Sequence, residues 1–338
     1  MIDVKNICIL GAGNVGIASA VDLSLRNYNV TLLTSKADKL EKDFTKIDID
    51  TNQKSTATNI NVTNNYDKAL NNCDLCIITV PSFMIEDTIA RIKVFFPKII
   101  LFTPGYGDKH KYCNELIKKG CIITGFDRSP YICRLIDANT VNASKKSQIR
   151  VGAVNYSKIT EIAELYSNMF DFEVIALPNY LTVNFTPSNP ILHTSRLYSM
   201  FKDYDKEHKF DHMIKFYAEW TDDSSEVMLA MDNELQEICR AIENKDKIDL
   251  SMVVPLTVHY ESPTVKLMTN KITSIKSFKN IDAPMIKTAE GCYLVDWNSR
   301  YFKEDFPFGL AILKKYAQQY KVNTPFMDKV LNWFYSIE

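Results

Sequence analysis

Short apolar runs, each closed by turn-forming residues, dominate the first part of the chain. KNICIL (5–10), NVTLLT (29–34), CIITVPS (76–82) and KIILFTPG (98–105) each read as a buried strand. The last two are separated by FMIEDTIARIKVFF (83–96), whose apolar positions recur at helical spacing. Apolar strands alternating with helices imply a parallel sheet with crossover connections. From about residue 185 the period becomes mainly helical. HMIKFYAEW (212–220), SSEVMLAMDNELQEICRAIEN (224–244) and GLAILKKYAQQY (309–320) are expected to be amphipathic helices. Glycine follows the same division, with eight of the ten at or before Gly152 and only Gly291 and Gly309 later. The change falls near Pro178 and Pro187. The expected architecture is therefore a Rossmann-type, doubly wound α/β domain over residues 1–183, followed by a mainly α-helical domain over 184–338.

Composition narrows the partners. A formal net charge of −1 with no basic run argues against nucleic acid and against anionic membrane surfaces. No leader-like segment and no apolar stretch of membrane-span length is visible. The eight cysteines lack small-scaffold spacing and read as reduced thiols of a cytoplasmic protein. Cys73 and Cys76 form a CxxC, but Cys76 enters an apolar strand and no second ligand pair exists, so no metal site is expected.

The first strand runs directly into GAGNVG, with Gly11, Gly13 and Gly16 at GxGxxG spacing. Gly11 permits a tight turn, Gly13 lets backbone approach a diphosphate, and Gly16 lets the helix pack on the strand. The anion would then meet the helix N-terminus through Gly11, Gly13, Asn14, Val15 and Gly16. The second strand ends not in an acid but in TSKADK. Ser35 and Lys36, with Thr34 and Lys39 nearby, suit a 2′-phosphate; NADP(H) is therefore preferred, with NAD(H) the other candidate and simple solvated lysines the alternative. TVPS (79–82), including Val80 and Pro81, and TPGYGD (103–108) end strands at the same sheet edge, where open α/β sheets bind ligands.

A carbonyl- or imine-reducing enzyme needs a proton donor beside the hydride acceptor, and histidine titrates near neutrality. Of the five histidines, His208 and His212 fall in a charged stretch and read as a solvated face, and His110, in GDKHK, as polar surface. His193 follows Asn189-Pro190 and apolar Ile191 and Leu192. By itself that pattern describes a core histidine as readily as a catalytic one.

NPILHTSRLY (189–198), between a GxGxxG domain and a helical one, resembles the opine dehydrogenases, the octopine and nopaline dehydrogenase group. FTPGYG (102–107), SPYICR (129–134) and NSRYFKEDFPFGL (298–310) are similar to three further family segments, and the resemblance covers nearly the whole chain. It implies that His193 is the general acid/base, that Asp305 pairs with it, and that Arg300 holds a keto-acid carboxylate, with Asn189 and Arg134 also at the substrate. A carboxylate on one ring nitrogen would fix the tautomer and leave the other facing substrate. A guanidinium fork suits a carboxylate. Without the resemblance Asp305 reads as an N-cap, and Arg300 as a surface cation. Asp232 is the competing acid partner.

The implied activity is NAD(P)H-dependent reductive condensation of a 2-keto acid, most simply pyruvate, with an amino acid. The partners are these small molecules, with a second copy of the chain as the protein partner contemplated. Tyr217, Trp220, Tyr260, Glu219 and Asp232 would suit a basic amino acid, though aromatic residues at such spacing equally suit a core. Two other readings stand beside this one. One is a related keto- or hydroxy-acid reductase such as a ketopantoate reductase, which rests on a lysine in no comparably constrained motif here. The other is a dinucleotide-binding redox sensor without turnover.

Overall fold

The computed structural model describes residues 2–337. The chain divides between Asn184 and Phe185 into two compact units. In the first, the strands are β1 (Asn6–Leu10), β2 (Asn29–Leu33), β3 (Phe44–Asp48), β4 (Lys54–Ala57), β5 (Asn61–Thr63), β6 (Leu75–Ile78), β7 (Ile99–Phe102), β8 (Ile122–Phe126), β9 (Tyr131–Leu135), β10 (Thr140–Lys145), β11 (Gln148–Ala153) and β12 (Glu173–Ala176). Helices α1 (Asn14–Ser24), α2 (Tyr66–Leu70), α3 (Ile85–Ile92), α4 (Asn114–Lys118), α5 (Ile159–Phe170) and α6 (Leu181–Asn184) connect or follow them.

Eight strands form one sheet in the order β12-β11-β8-β7-β6-β1-β2-β5. All its pairings are parallel except β8 with β11. The order reverses at β1, so the carboxyl ends of β1 and β6 flank a topological switch point. β6 and β7 are buried along their whole length, as strands covered on both faces must be. Phe126, Tyr166 and Phe170 pack edge to face beneath the sheet, and the Tyr166 hydroxyl pairs with Thr124 at 2.8 Å. Apolar periodicity does not foretell a second sheet, β4-β3-β10-β9. Its strands carry alternating polar residues and are only partly buried, so they lack the continuous apolar run that marks the others.

The second unit is mainly helical. Its elements are α7 (Thr194–Phe201), α8 (Asp222–Asp246), α9 (Leu256–His259), α10 (Val265–Ser274), a hairpin of β13 (Met285–Lys287) and β14 (Tyr293–Val295), α11 (Ala311–Tyr320) and α12 (Pro325–Ile337). Two π-helical stretches, Ser188–His193 and Tyr301–Leu310, precede α7 and α11. The Thr221 side chain accepts from the Ser224 amide and starts α8, which buries Val227, Met228, Met231, Leu235, Ile238 and Ile242 along one face. Each such side chain contributes about 1.5–3 kcal/mol by leaving water.

The helix expected over residues 212–220 is absent. That segment runs as turns and isolated bridges, with Lys215 bridging to Asp282 and the Phe216 amide bonding to the Ile281 carbonyl. Its apolar spacing reflects burial of Phe216, Tyr217 and Trp220, not a helical backbone.

Candidate active site

The first unit builds an anion cradle out of backbone. Gly11 turns the chain after β1 with φ of +108°, a conformation L side chains rarely adopt. The Thr79 hydroxyl, just past β6, lies 2.9 Å from the Leu10 carbonyl and 3.2 Å from that of Gly11, and so locks the turn. A Cβ on Gly16 would stand 1.9 Å from the Gly11 carbonyl oxygen, so α1 lies directly against the turn. Gly13 caps α1 without a side chain, and nothing comes within 4 Å of a Cβ placed there. An uncapped helix start with no acid in its first turn and open space before it fits a diphosphate.

The Asn14 side chain accepts from the Leu135 amide at 2.8 Å and Val15 leans on the core, so both present backbone to this space. Val80 packs beside the Gly11 turn, and Pro81 follows it half-buried. Ser35 and Lys36 are exposed after β2, with the Lys36 amide on Thr34 Oγ1. His110 is not polar surface: it packs against Tyr180 at 4.6 Å between ring centres, and burial pushes its pKa down to about 4. Cys76, inside β6, has its thiol raised by a hydrogen bond with Cys8 and by burial, which leaves the CxxC without reactive character.

In the second unit the two π-helical stretches meet where Gly309 lies against Pro190. A Cβ on Gly309 would approach Pro190 Cβ and Cγ to 3.2 Å. Pro307 sits inside the second stretch, where its missing N–H and ring would break an α-helix. This crossing brings together residues 112 apart: His193 Nδ1 and Asp305 Oδ2 are 2.8 Å apart. Asp305 is therefore no N-cap. A carboxylate can only accept, so Nδ1 carries a proton, and in the neutral imidazole Nε2 presents its lone pair. Nε2 does not stand open, however, because the Tyr217 hydroxyl donates to it at 2.9 Å. Phe216 and Tyr301 flank the imidazole, with ring centres 5.5 and 4.9 Å away.

The other expected residues take different partners. Asn189 Nδ2 reaches Asp305 Oδ1 at 3.4 Å, which makes it a support for the carboxylate. Arg300, 61% exposed, donates Nε and Nη2 to the buried Glu304 carboxylate at 2.8 and 3.2 Å. Adjacent acids thus serve two neighbours, Glu304 orienting Arg300 and Asp305 orienting His193. The R-x-x-x-E spacing of one helical turn was the available signal for Glu304. Arg134 belongs to the first unit and is exposed on β9, with Asn142 as its cross-strand partner. Asp232 does not compete for His193. It is buried in α8, accepts from the Leu256 amide at 2.7 Å, and burial raises its pKa to about 6. Glu219 is occupied by the Lys215 amide and His212, and Trp220 by Ser225, so neither presents a ready surface for a cationic substrate. Arg196, buried in α7, donates to the carbonyls of Phe216 and Glu219 and to Ser224 Oγ, clamping the segment that carries Tyr217.

A hydride-cofactor cradle and a carboxylate–histidine pair define a dinucleotide-dependent oxidoreductase. Comparison with known proteins shows what each unit is similar to. Residues 176–337 match the NAD/NADP octopine/nopaline dehydrogenase alpha-helical domain, and residues 7–156 match ketopantoate reductase PanE/ApbA. Tauropine dehydrogenase of Arabella iricolor is 26% identical over 96% of this chain and 89% of its own length. Octopine dehydrogenase, solved with NADH and L-arginine and also with pyruvate, superposes with a TM-score of 0.82 at 19% identity over 98% of this chain and 89% of its own in the arginine complex. Yersinopine dehydrogenase with NADP+ bound gives 0.73 at 14% identity, over all of this chain and 91% of its own. Residues 176–337 thus resemble the helical domain of the octopine/nopaline dehydrogenases, and the fold is that of octopine dehydrogenase. No helix among the described residues is long and apolar enough to cross a membrane.

Proposed function

We propose that the protein is an opine dehydrogenase. It joins a 2-keto acid, most simply pyruvate, to the amino group of an amino acid, giving a secondary-amine dicarboxylate, and runs the reverse oxidation. The observation that carries this reading is the His193–Asp305 pair at 2.8 Å, with Arg300 five residues before the aspartate.

In this reading Gly11, Gly13, Asn14, Val15, Gly16, Val80 and Pro81 hold the dinucleotide, and Ser35 and Lys36 favour the 2′-phosphate of NADP(H) over NAD(H). When bound, the reduced nicotinamide supplies hydride to the imine carbon. His193 supplies the proton that lets the carbinolamine oxygen leave as water, and Asp305 stabilises the imidazolium that precedes this step. Arg300, oriented by Glu304, takes the keto-acid carboxylate. Asn189 supports Asp305, and Arg134 has no supporting geometry as a substrate residue. The location proposed is the cytoplasm, where free thiols persist.

The match of the first unit to ketopantoate reductase supports a second reading, reduction of a keto acid without an amine. Rates of NADPH and NADH oxidation, measured with pyruvate and each amino acid in turn, separate the two. Condensation requires both substrates. Oxidation that needs the keto acid alone would overturn it, and equal kcat/KM with the two dinucleotides would overturn the NADP preference.

A further inference from the structure

His193 Nε2, the nitrogen left for chemistry once Asp305 holds Nδ1, is covered by the Tyr217 hydroxyl. Substrate can receive a proton from it only if Tyr217 swings away or passes the proton on. The surroundings of Tyr217 distinguish these routes. Its ring is stacked on Phe278 at 4.3 Å and 22°, lies parallel to Trp220 at 6.1 Å, and packs edge-on to Phe216 at 4.8 Å. The Arg196 guanidinium holds the backbone on both sides, through the carbonyls of Phe216 at 2.8 Å and Glu219 at 2.7 Å. The residue is only 6% exposed. Swinging out would break three ring contacts and strain the clamped segment, whereas a relay breaks none of them.

We propose that Tyr217 is a further catalytic residue, the terminal member of a relay Asp305–His193–Tyr217 that delivers the proton to substrate. The phenol O–H bond breaks as the proton passes to the carbinolamine oxygen. The C–O bond then breaks, water leaves, and the nitrogen lone pair closes the C=N bond. At the same time the imidazolium Nε2–H passes its proton to the phenol oxygen. Tyr217 ends neutral, His193 returns to neutral imidazole, and one proton has moved from His193 to substrate with no change in oxidation state. Hydride comes separately from the reduced dinucleotide. The relay rests on the dehydrogenase reading, but a carbonyl oxygen being reduced would accept the same proton.

Tyr217→Phe keeps the ring stack and removes only the hydroxyl. The expected result is a fall in kcat of about 10²–10³-fold, the usual worth of a positioned acid, with keto-acid KM changed less than about threefold. In Tyr217→Ala, added phenol should restore turnover and added toluene should not. A Tyr217→Phe kcat within about threefold of wild type, or equal rescue by toluene, would overturn the relay. The comparison is made on whichever dinucleotide-dependent rate the wild type shows. A rate that needs no amine would sink the condensation and leave the hydroxyl test intact.

Discussion

In the first unit the candidate site is built of backbone, within six consecutive positions; in the second it is built of side chains drawn from three separate segments. Gly11 to Gly16 form the cradle, and what the sequence must supply there is the absence of side chains at fixed spacing. His193, Tyr217, Arg300 and Asp305 must instead be brought together by two π-helical stretches and a clamped loop. A site of the first kind tolerates any neighbour that leaves space. A site of the second kind depends on packing some distance from the reacting atoms.

The sharpest test of this contrast is Asp305→Asn. The isostere keeps the packing but cannot fix the Nδ1–H tautomer. The expected loss is about 10³–10⁴-fold in kcat with keto-acid KM nearly unchanged, by analogy with the same change in a serine-protease triad. A loss confined to KM would mean that the pair binds rather than transfers protons.

The glycines give the next largest effect, and they should part company. In Gly16→Ala the new Cβ meets the Gly11 carbonyl backbone, which must shift. Stability should fall by about 1–3 kcal/mol, and dinucleotide affinity, followed by NADPH fluorescence, should fall with it. Gly13→Ala meets no protein atom, so Tm should hold while affinity drops by about 1–2 kcal/mol, near tenfold. Matching losses of Tm in the two variants would show that Gly13 serves the fold and not a ligand.

A smaller effect is expected where the π-helical stretches touch. Gly309→Ala must widen the approach to Pro190 by a few tenths of an ångström. Since an ångström of misplacement costs about 10²-fold, turnover should fall several-fold, with the melting temperature lowered only slightly. Unchanged turnover would show that the crossing does not set the His193–Asp305 geometry.

Least visible in activity is Asp232. Its folded pKa of about 6 lies above the ordinary 3.8, because burial penalises the charge. Folding is therefore favoured while the carboxyl stays protonated. That contribution is complete below about pH 4 and is lost as pH rises through 6. Asp232→Asn keeps a neutral acceptor for the Leu256 amide. It should be more stable than wild type above pH 6, by up to about 3 kcal/mol, and equal to it below pH 4. An advantage independent of pH would refute the buried charge as its cause.

The same contrast explains what could be read from the chain in advance. β1, β2, β6 and β7 and the glycine turn were legible because each is specified locally, by a run of buried residues or a spacing. His193 and Asp305 were legible only through family resemblance, since no period links residues 112 apart. At Tyr217 the period misleads, because its neighbours repeat at helical intervals while the backbone is pinned by Arg196 and residues 281–282. Nothing in NPxxH announces that the Asn189 amide faces the distant Asp305 carboxylate.

A π-helical turn closes its hydrogen bond one residue later than the α-helix that follows it. Removing a single residue from 188–192 would let that turn relax into an α-turn with the helix intact, and would rotate His193 by about 100° relative to what precedes it. The same holds ahead of Asp305. The site therefore constrains the number of residues in these turns as tightly as their identity. A one-residue deletion at a position with no chemical role would leave a well-folded helical unit whose histidine faces the wrong way.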